Sequence, residues 1–338
     1  MSSSCGTSRR LGSPRHWPLV FLLVLPLAKS ARAETWAEKL GYPAGSRVLI
    51  LHADDVGMCY EHSAASKQLL QAGHIQSAAA MVPCPWFNEF AAWYKEHSHF
   101  DVGLHLAMNS EWTHYRWGPV APRDLVPGMV DPDGYLWRSV RETVRHASPG
   151  EIEREIRAQI ERALSRGIRP GHVDTHMGTL YARLEFTRAY FKVAQEYRIP
   201  AMAIELTPDL MARFKKQGYP LTDETVKLAN TYSLPKLDDF YSVPDGKTYE
   251  EKREKLFAVV RSLRPGITEI IFHPSADSEG LRKITGSWQQ RIWDAQVLAD
   301  PETGKLLKAQ GVVLTNWKEM MKRFDERQGR QKRVEAAQ

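Results

Sequence analysis

The chain has 338 residues, of which 43% are apolar and 25% are charged, a composition that excludes collagen-like, coiled-coil and disordered proteins. Its formal net charge is +6, but residues 1–33 carry five bases and no acid, and residues 318–338 carry seven bases and four acids, so residues 34–317 carry a net charge of −2. Without a basic surface stripe, nucleic acid is not an expected partner.

The N-terminus resembles a secretory signal peptide. Arg9, Arg10 and Arg15 form a basic start, residues 17–28 are apolar, and the small-x-small triplet of residues 31–33 marks a cleavage site. The alternative is a membrane anchor, but the apolar stretch is shorter than the ~20 residues of a spanning helix. We therefore predict that residues 1–33 are a cleaved signal, that the mature protein is secreted or periplasmic, and that it has no stable membrane span.

Short apolar runs alternate with longer amphipathic stretches along the rest of the chain. These strand candidates are residues 48–51, 77–82, 101–106, 171–175, 199–206, 267–272 and 312–315. Alternation of strands and helices predicts an α/β fold with a parallel sheet, either open or closed into a barrel. In both cases the functional residues are expected just after the strands, at their carboxyl ends.

The clearest predicted helix lies at residues 151–166, where isoleucine and leucine recur every four residues. Ser148 and Glu151 form a capping box around Pro149, and Gly167 marks the end of the helix.

Two segments depart from this alternation. Residues 109–147 show no periodicity but contain Trp112, Trp117 and Tyr135, which favours an ordered loop over the substrate, with a surface loop held by its own aromatics as the alternative. Residues 324–338 are predicted to form a charged, flexible tail. The main domain is therefore expected to span residues 34–323.

Ionisable side chains follow four of the predicted strands. They are Asp54 and Asp55 after the first strand, His105 in the third, His172, Asp174 and His176 in the fourth, and His273 after the sixth. Because carboxyl ends of parallel strands meet at one edge of a sheet, these groups are expected to converge on a single site for one divalent metal ion with an Asp/His/His ligand set. A carboxylate behind a bound histidine fixes its tautomer, a role that suits Asp174, with His172 beside it.

The order of these motifs resembles the YdjC-like carbohydrate deacetylase family, which is distantly related to the NodB-type polysaccharide deacetylases. The resemblance runs from about Arg47 to Trp317, and its motifs are Asp54-Asp55-x-Gly57, Gly103-Leu104-His105-Leu106, His172-x-Asp174-Thr175-His176 and Phe272-His273-Pro274. It implies a single-domain, distorted parallel (β/α) barrel of about seven strands. It also implies removal of N-acetyl groups from amino sugars or chitooligosaccharide-like carbohydrates.

The resemblance also implies roles for individual residues. His105 and His176 become metal ligands, and similarity to the NodB-type order makes Asp55 the third ligand and Asp54 the general base. His273 becomes the general acid. The metal is expected to be Mg or Zn, with Mn, Co or Ni as alternatives.

Further contacts with the sugar are expected from Trp112, Trp117, Tyr135 and Arg291. The chain has His52 where family members usually have asparagine, and Gly178 where many have another histidine. Both positions adjoin the predicted ligands and bear on which sugar fits the site.

Two other functions remain open at this point. One is a different secreted metallohydrolase on the same scaffold, acting on an ester, a cyclic amide or a phosphoester. The other is a non-catalytic sugar-binding protein. Finally, Cys59 and Cys84 leave neighbouring strands at the same edge of the sheet, so a disulfide between them is expected, with two buried free thiols as the alternative.

Overall fold

The longest strand, β1 (Arg47–Val56), runs through the middle of a parallel sheet. The computed structural model describes residues 33–335, so the predicted signal peptide lies outside the described residues except for Ala33. The other strands are β2 (Ser77–Ala80), β3 (Val102–Leu106), β4 (Val173–Thr175), β5 (Asp239–Ser242), β6 (Gly266–Phe272) and β7 (Val313–Leu314). Among residues 33–335, no helix combines the length and the apolarity that a membrane crossing requires.

The sheet has the strand order β4-β3-β2-β1-β6-β5, and β7 pairs with the beginning of β1. Every pairing is parallel. The strands curl into a half-barrel that carries helices on its outer side, forming one α/β domain. The predicted distorted parallel (β/α) barrel of about seven strands is confirmed.

One predicted strand is wrong. Residues 199–206 make only isolated parallel bridges, from Ala201 to Val173 and from Ile204 to Leu237, and the true β5 lies later in the chain. The backbone turns tightly at this point, since Ala203 N–H donates to the carbonyl of Ala201 at 2.6 Å. The segment therefore spans the gap between β4 and β5 without becoming a regular strand.

Helices form most of the described chain between and around the strands. They are α1 (Trp36–Lys39), α2 (Tyr60–Gln71), α3 (Phe87–Glu96), α4 (Val140–His146), α5 (Pro149–Ser165), α6 (Leu184–Glu196), α7 (Pro208–Lys216), α8 (Asp223–Thr231), α9 (Tyr249–Arg261), α10 (Glu279–Ile284), α11 (Trp288–Ala299), α12 (Pro301–Ala309) and α13 (Trp317–Glu335). Because α13 continues to Glu335, most of the predicted tail is helical.

The start of α5 is formed as its sequence predicts. Ser148 Oγ accepts from the backbone N–H of Glu151 at 3.3 Å, and the Glu151 carboxylate accepts from the backbone N–H of Ser148 at 2.7 Å. The isoleucines at 152, 156 and 160 are fully buried. The helix therefore presents its predicted apolar face to the core.

Replacing Ser148 by alanine is expected to lower the free energy of unfolding by about 1 kcal/mol, because an N–H group at the helix N-terminus loses its acceptor. Urea denaturation measures the change. The matched control is Ser165→Ala at the exposed far end of α5, where we expect a change below about 0.5 kcal/mol. Equal losses in the two variants would contradict the capping role.

The long segment of residues 109–147 is ordered and tied to α5. It contains two 3₁₀ turns, Arg123–Leu125 and Pro127–Met129, followed by α4. The buried Glu155 carboxylate accepts from the backbone N–H groups of Val120 and Ala121, both at 2.9 Å. The segment is thus held against the barrel by a side chain of α5.

The expected disulfide is wrong, since Cys59 and Cys84 are free thiols. Both side chains are buried among the apolar residues of the main core. Cys84 Sγ lies 3.9 Å from Met81 Sδ, and Cys59 occupies the position before α2. The two cysteines therefore act as small core residues, which is the alternative reading of the sequence.

Candidate metal centre

Two adjacent carboxylates at the end of β1, those of Asp54 and Asp55, both face the imidazole of His105. In a regular strand, neighbouring side chains point to opposite faces, but Asp55 has a φ of 60° and the pairing with β2 is irregular between Ala53 and Val56. As a result, Asp54 Oδ1 lies 3.5 Å from Nδ1 of His105, and Asp55 Oδ1 lies 3.4 Å from its Nε2. The backbone irregularity is what brings both acids to one side.

Asp55, His105 and His176 converge at the carboxyl ends of three strands. Asp55 Oδ1 is 3.3 Å from Nδ1 of His176, and that nitrogen is 3.3 Å from Nε2 of His105. All three side chains are buried, and Asp55 Oδ1 has no hydrogen-bond donor. A buried carboxylate oxygen without a donor, beside two imidazole nitrogens, is a donor set that could hold a divalent metal ion.

The charges around these three residues favour a cation. Burial alone would lower the pKa of His176, but the carboxylates of Glu111 and Asp55 outweigh it and raise the pKa to about 10. Burial is likewise outweighed at His105, where Asp54 and Asp174 raise the pKa. Raised pKa values at both histidines show that the site holds an excess of negative charge.

Arg291 is the guanidinium that reaches this cluster. Its Nη2 lies 2.8 Å from Asp55 Oδ2. Burial would raise the pKa of Asp55, but Arg291 and His176 hold it well below its usual range. Asp55 is therefore ionised, with one oxygen held by Arg291 and the other turned toward the two histidines.

Asp174 orients His105 as the sequence predicts for a supporting carboxylate. Its Oδ1 lies 2.7 Å from Nδ1 of His105, which leaves Nε2 of the ring free to face Asp55. His172 lies behind Asp174, with Nε2 3.6 Å from Oδ2, and its ring stacks on Trp317. A Cβ atom at Gly103 would come within 2.3 Å of the His172 ring, so this packing explains why a glycine stands two residues before His105.

The sequence did not place Glu111 at the site, and it placed His52 beside the predicted ligands without indicating its contacts. Glu111 Oε2 lies 2.9 Å from Nε2 of His176, but it belongs to the long aperiodic segment, where no pattern distinguishes it from a solvent-exposed acid. His52 Nε2 lies 2.9 Å from Asp54 Oδ1 and 3.2 Å from Asp174 Oδ2. His52 lies two residues before Asp54 on the same strand, so the two side chains point to the same face of the sheet.

His62 supports the backbone at the same place. Its Nε2 bonds the carbonyl of Asp54, and its Nδ1 lies 2.9 Å from Ser275 Oγ. Burial and the nearby Arg291 lower its pKa to about 3, so the ring is neutral. It lies on α2, whose sequence gives no sign of this contact.

His273 is fixed through its backbone. Its N–H donates to Asp294 Oδ2 at 2.9 Å, and Asp294 in turn pairs with the buried Lys252 at 2.6 Å. Burial lowers the pKa of His273 to about 4, with Arg291 acting in the same direction. The imidazole is therefore neutral at neutral pH.

A cavity of about 500 Å³ opens onto these groups. Its lining includes eight of the predicted site residues, namely Asp54, Asp55, His105, Trp112, Asp174, His176, His273 and Arg291. Trp117, Tyr135 and His172 are not among the described residues that line it. Trp117 is 3% exposed and lies behind His176, and Tyr135 stacks on Arg116, so neither faces this cavity, and their expected contact with a sugar stays a prediction.

Known proteins resemble this chain in sequence. Residues 48–309 match the model of the YdjC-like protein family. Proteins named carbohydrate deacetylase are 27% identical in Thermus thermophilus (80% of this chain and 92% of the relative) and 27% identical in Geobacillus stearothermophilus (82% and 99%). Another, from Thermoanaerobacter pseudethanolicus, is 24% identical over 80% of this chain and 98% of its own.

A solved structure has the same fold. It is a protein of Enterococcus faecalis described as a candidate cellobiose-phosphate cleavage protein, with a TM-score of 0.68 and 22% identity. The match covers 82% of this chain and 99% of that one. The likeness concerns the fold alone.

Proposed function

Since this chain belongs to the family of YdjC-like proteins, we propose that it is a metal-dependent carbohydrate deacetylase that removes N-acetyl groups from amino sugars. The observation that carries the proposal is the convergence of Asp55, His105 and His176 beside Asp54 at one end of a cavity. The deacetylase names of its relatives support the same activity.

In this proposal the metal ligands are Asp55, His105 and His176. A bound divalent ion supplies Lewis acidity, which polarises the acetyl carbonyl and acidifies a water molecule. Asp174 keeps His105 in the tautomer that presents Nε2, and Arg291 fixes the orientation of Asp55. Zn and Mg are the ions we expect, with Mn, Co and Ni as alternatives that the same donor set accepts.

Asp54 is proposed as the general base that takes the proton of the attacking water. Its Oδ1 lies close to His52 and His105, which hold the carboxylate in place. His273 is proposed as the group that protonates the departing nitrogen. Because its imidazole is neutral at neutral pH, it must first receive a proton within the cycle, and the proton removed from water is the source.

Replacing His273 by alanine is expected to leave the metal content unchanged and to lower kcat for amide substrates by about 10²–10⁴-fold. Activated aryl esters should lose far less, because their leaving groups depart without a proton. Parallel measurement of acetate release from an N-acetyl sugar and from an aryl acetate checks this. Equal losses on both substrates would leave His273 without a general-acid role.

The proposed activity is tested by acetate release over a panel of N-acetylated sugars and chitooligosaccharides, before and after treatment with a chelator and with Zn or Mg added back. We expect release that disappears with the chelator and returns with the metal. Phosphate release from aryl phosphates without acetate release would instead favour another metallohydrolase. Sugar binding without turnover in the metal-loaded protein would favour a non-catalytic binding protein.

We further propose that residues 1–33 direct the protein out of the cytoplasm and are removed. The basic start, the apolar stretch and the small residues before Glu34 support this. N-terminal sequencing of protein from the periplasmic or culture fraction is expected to begin at Glu34. A mature chain that begins at Met1 would contradict the proposal.

A further inference from the structure

The cavity at the metal centre has two chemically different parts. The charged part consists of the metal-centre residues together with Glu111, His273 and Arg291. The other part is lined by α6, α7, α8, β5 and residues 202–206, and its apolar side chains include Phe191, Met202, Ile204, Phe214, Leu221 and Phe240. We call this second part the apolar chamber.

No charged side chain between residues 177 and 271 lines the cavity, among the residues that the structure describes. Three of the polar side chains of the chamber are already paired within the protein, which leaves the hydroxyl groups of Tyr219 and Ser242 in this part of the lining. Thr187 Oγ1 donates to the carbonyl of Leu180 at 2.8 Å, and the Tyr181 hydroxyl donates to the carbonyl of Met202. Thr225 Oγ1 lies 3.0 Å from the hydroxyl of Thr222.

These pairings make the chamber a poor site for a sugar ring. Sugar hydroxyls that enter it would lose their water partners and find few groups free to replace them, which disfavours binding. A hydrocarbon group needs no hydrogen-bond partners, and its transfer from water into the chamber is favourable. A cavity of about 500 Å³ is also within the range of sites that enclose a small ligand almost completely.

We propose that the natural substrate is an amino sugar that bears a hydrocarbon group, and that the apolar chamber receives this group while the amide lies at the metal centre. This inference rests on the proposed deacetylase function and adds the substrate class. The hydrocarbon is either the aglycone of the sugar or a long N-acyl chain. The two share the same chemistry, and matched substrates distinguish them.

The first pair compares octyl with methyl N-acetyl-β-glucosaminide, and the second compares N-octanoylglucosamine with N-acetylglucosamine. Burial of one methylene is worth about fourfold in affinity, so even partial burial of the octyl chain should raise kcat/KM by at least about tenfold. A rise in the first pair assigns the chamber to an aglycone, and a rise in the second assigns it to the acyl chain. Ratios below about twofold in both pairs, with acetate still released, would overturn the inference and leave the deacetylase function standing.

Leu221→Asn places a polar amide in the chamber and is expected to reduce the octyl-to-methyl ratio by at least about fivefold. The matched control is Leu125→Asn, which changes a 51%-exposed leucine outside the cavity lining and should leave the ratio unchanged. An unchanged ratio in Leu221→Asn would also count against the chamber as the binding place.

If no acetate is released from any substrate, the proposed function is refuted. Binding of the hydrocarbon group to the chamber can then still be measured directly. Calorimetric titration with n-octyl glucoside, below the concentration at which it forms micelles, should show saturable binding to the intact protein. The binding should weaken in Leu221→Asn and persist in Leu125→Asn. Absence of binding, or equal binding in both variants, would overturn the inference.

Discussion

Alanine in place of His105 or His176 is expected to remove both the bound metal ion and the acetate-releasing activity. Each ring supplies a buried nitrogen that faces Asp55. Loss of a residue that merely supports a ligand costs about 10–100-fold in affinity or activity, and loss of a ligand should exceed this. Metal analysis of the purified variants, together with acetate release, measures both effects.

The matched control is His74→Ala. His74 lies in the turn between α2 and β2, at the opposite end of the sheet from the metal centre. It should retain full metal content and activity. If His105→Ala and His176→Ala bind as much metal as the His74→Ala protein, these two histidines are not the ligands.

Asn in place of Asp54 is expected to leave the metal bound and to lower kcat by about 10²–10⁴-fold, whereas Asn in place of Asp55 should empty the site. The structure gives the reason for the difference. Asp55 Oδ1 faces the nitrogens of both His105 and His176, while Asp54 faces His105 from the side of its Nδ1, where Asp174 also lies. An amide at position 54 keeps the shape of the side chain but cannot take up a proton.

Metal analysis and kcat measured on the same two protein preparations distinguish the roles. The opposite outcome, with an empty site in Asp54→Asn and a full site in Asp55→Asn, would reverse the assignment. Arg291→Lys provides a useful comparison, since it retains the positive charge beside Asp55 but loses the planar geometry of the guanidinium. A partial loss of metal in this variant would show that the orientation of Asp55 matters as well as its charge.

Much of the fold could be predicted because local signals and tertiary packing agree. Helix α5 has a capping box, a proline in its first turn and a regular apolar stripe, and all three are used in the structure. The missed strand β5 lacks such signals, because it contains Asp239 and Ser242 and is only partly buried. Residues 199–206 are more apolar than β5, yet a strand also needs regular neighbours on both sides, which only the assembled barrel determines.

The candidate site could be predicted where its residues follow strands. His105 and His176 lie at strand ends, and parallel topology brings such ends together. Glu111 could not be found in this way, because its contact with His176 depends on the path of a long loop. The positions of the aromatic residues in that loop could not be predicted for the same reason, since Trp112 reaches the cavity while Trp117 turns into the core.

The segment that spans the gap between β4 and β5 also affects how the barrel wall moves. Residues 200–205 are joined to β4 by two backbone hydrogen bonds, at Val173, and to the other side by two more, at Leu237, whereas β1 and β6 pair along seven consecutive positions. Local opening breaks fewer backbone hydrogen bonds here than between β1 and β6, so we expect larger thermal fluctuations in this part of the wall. Met202 and Ile204 belong to this stretch and line the cavity. We therefore expect opening of this segment to enlarge the apolar chamber while Asp55 and His105, which lie on β1 and β3 away from the gap, stay in place.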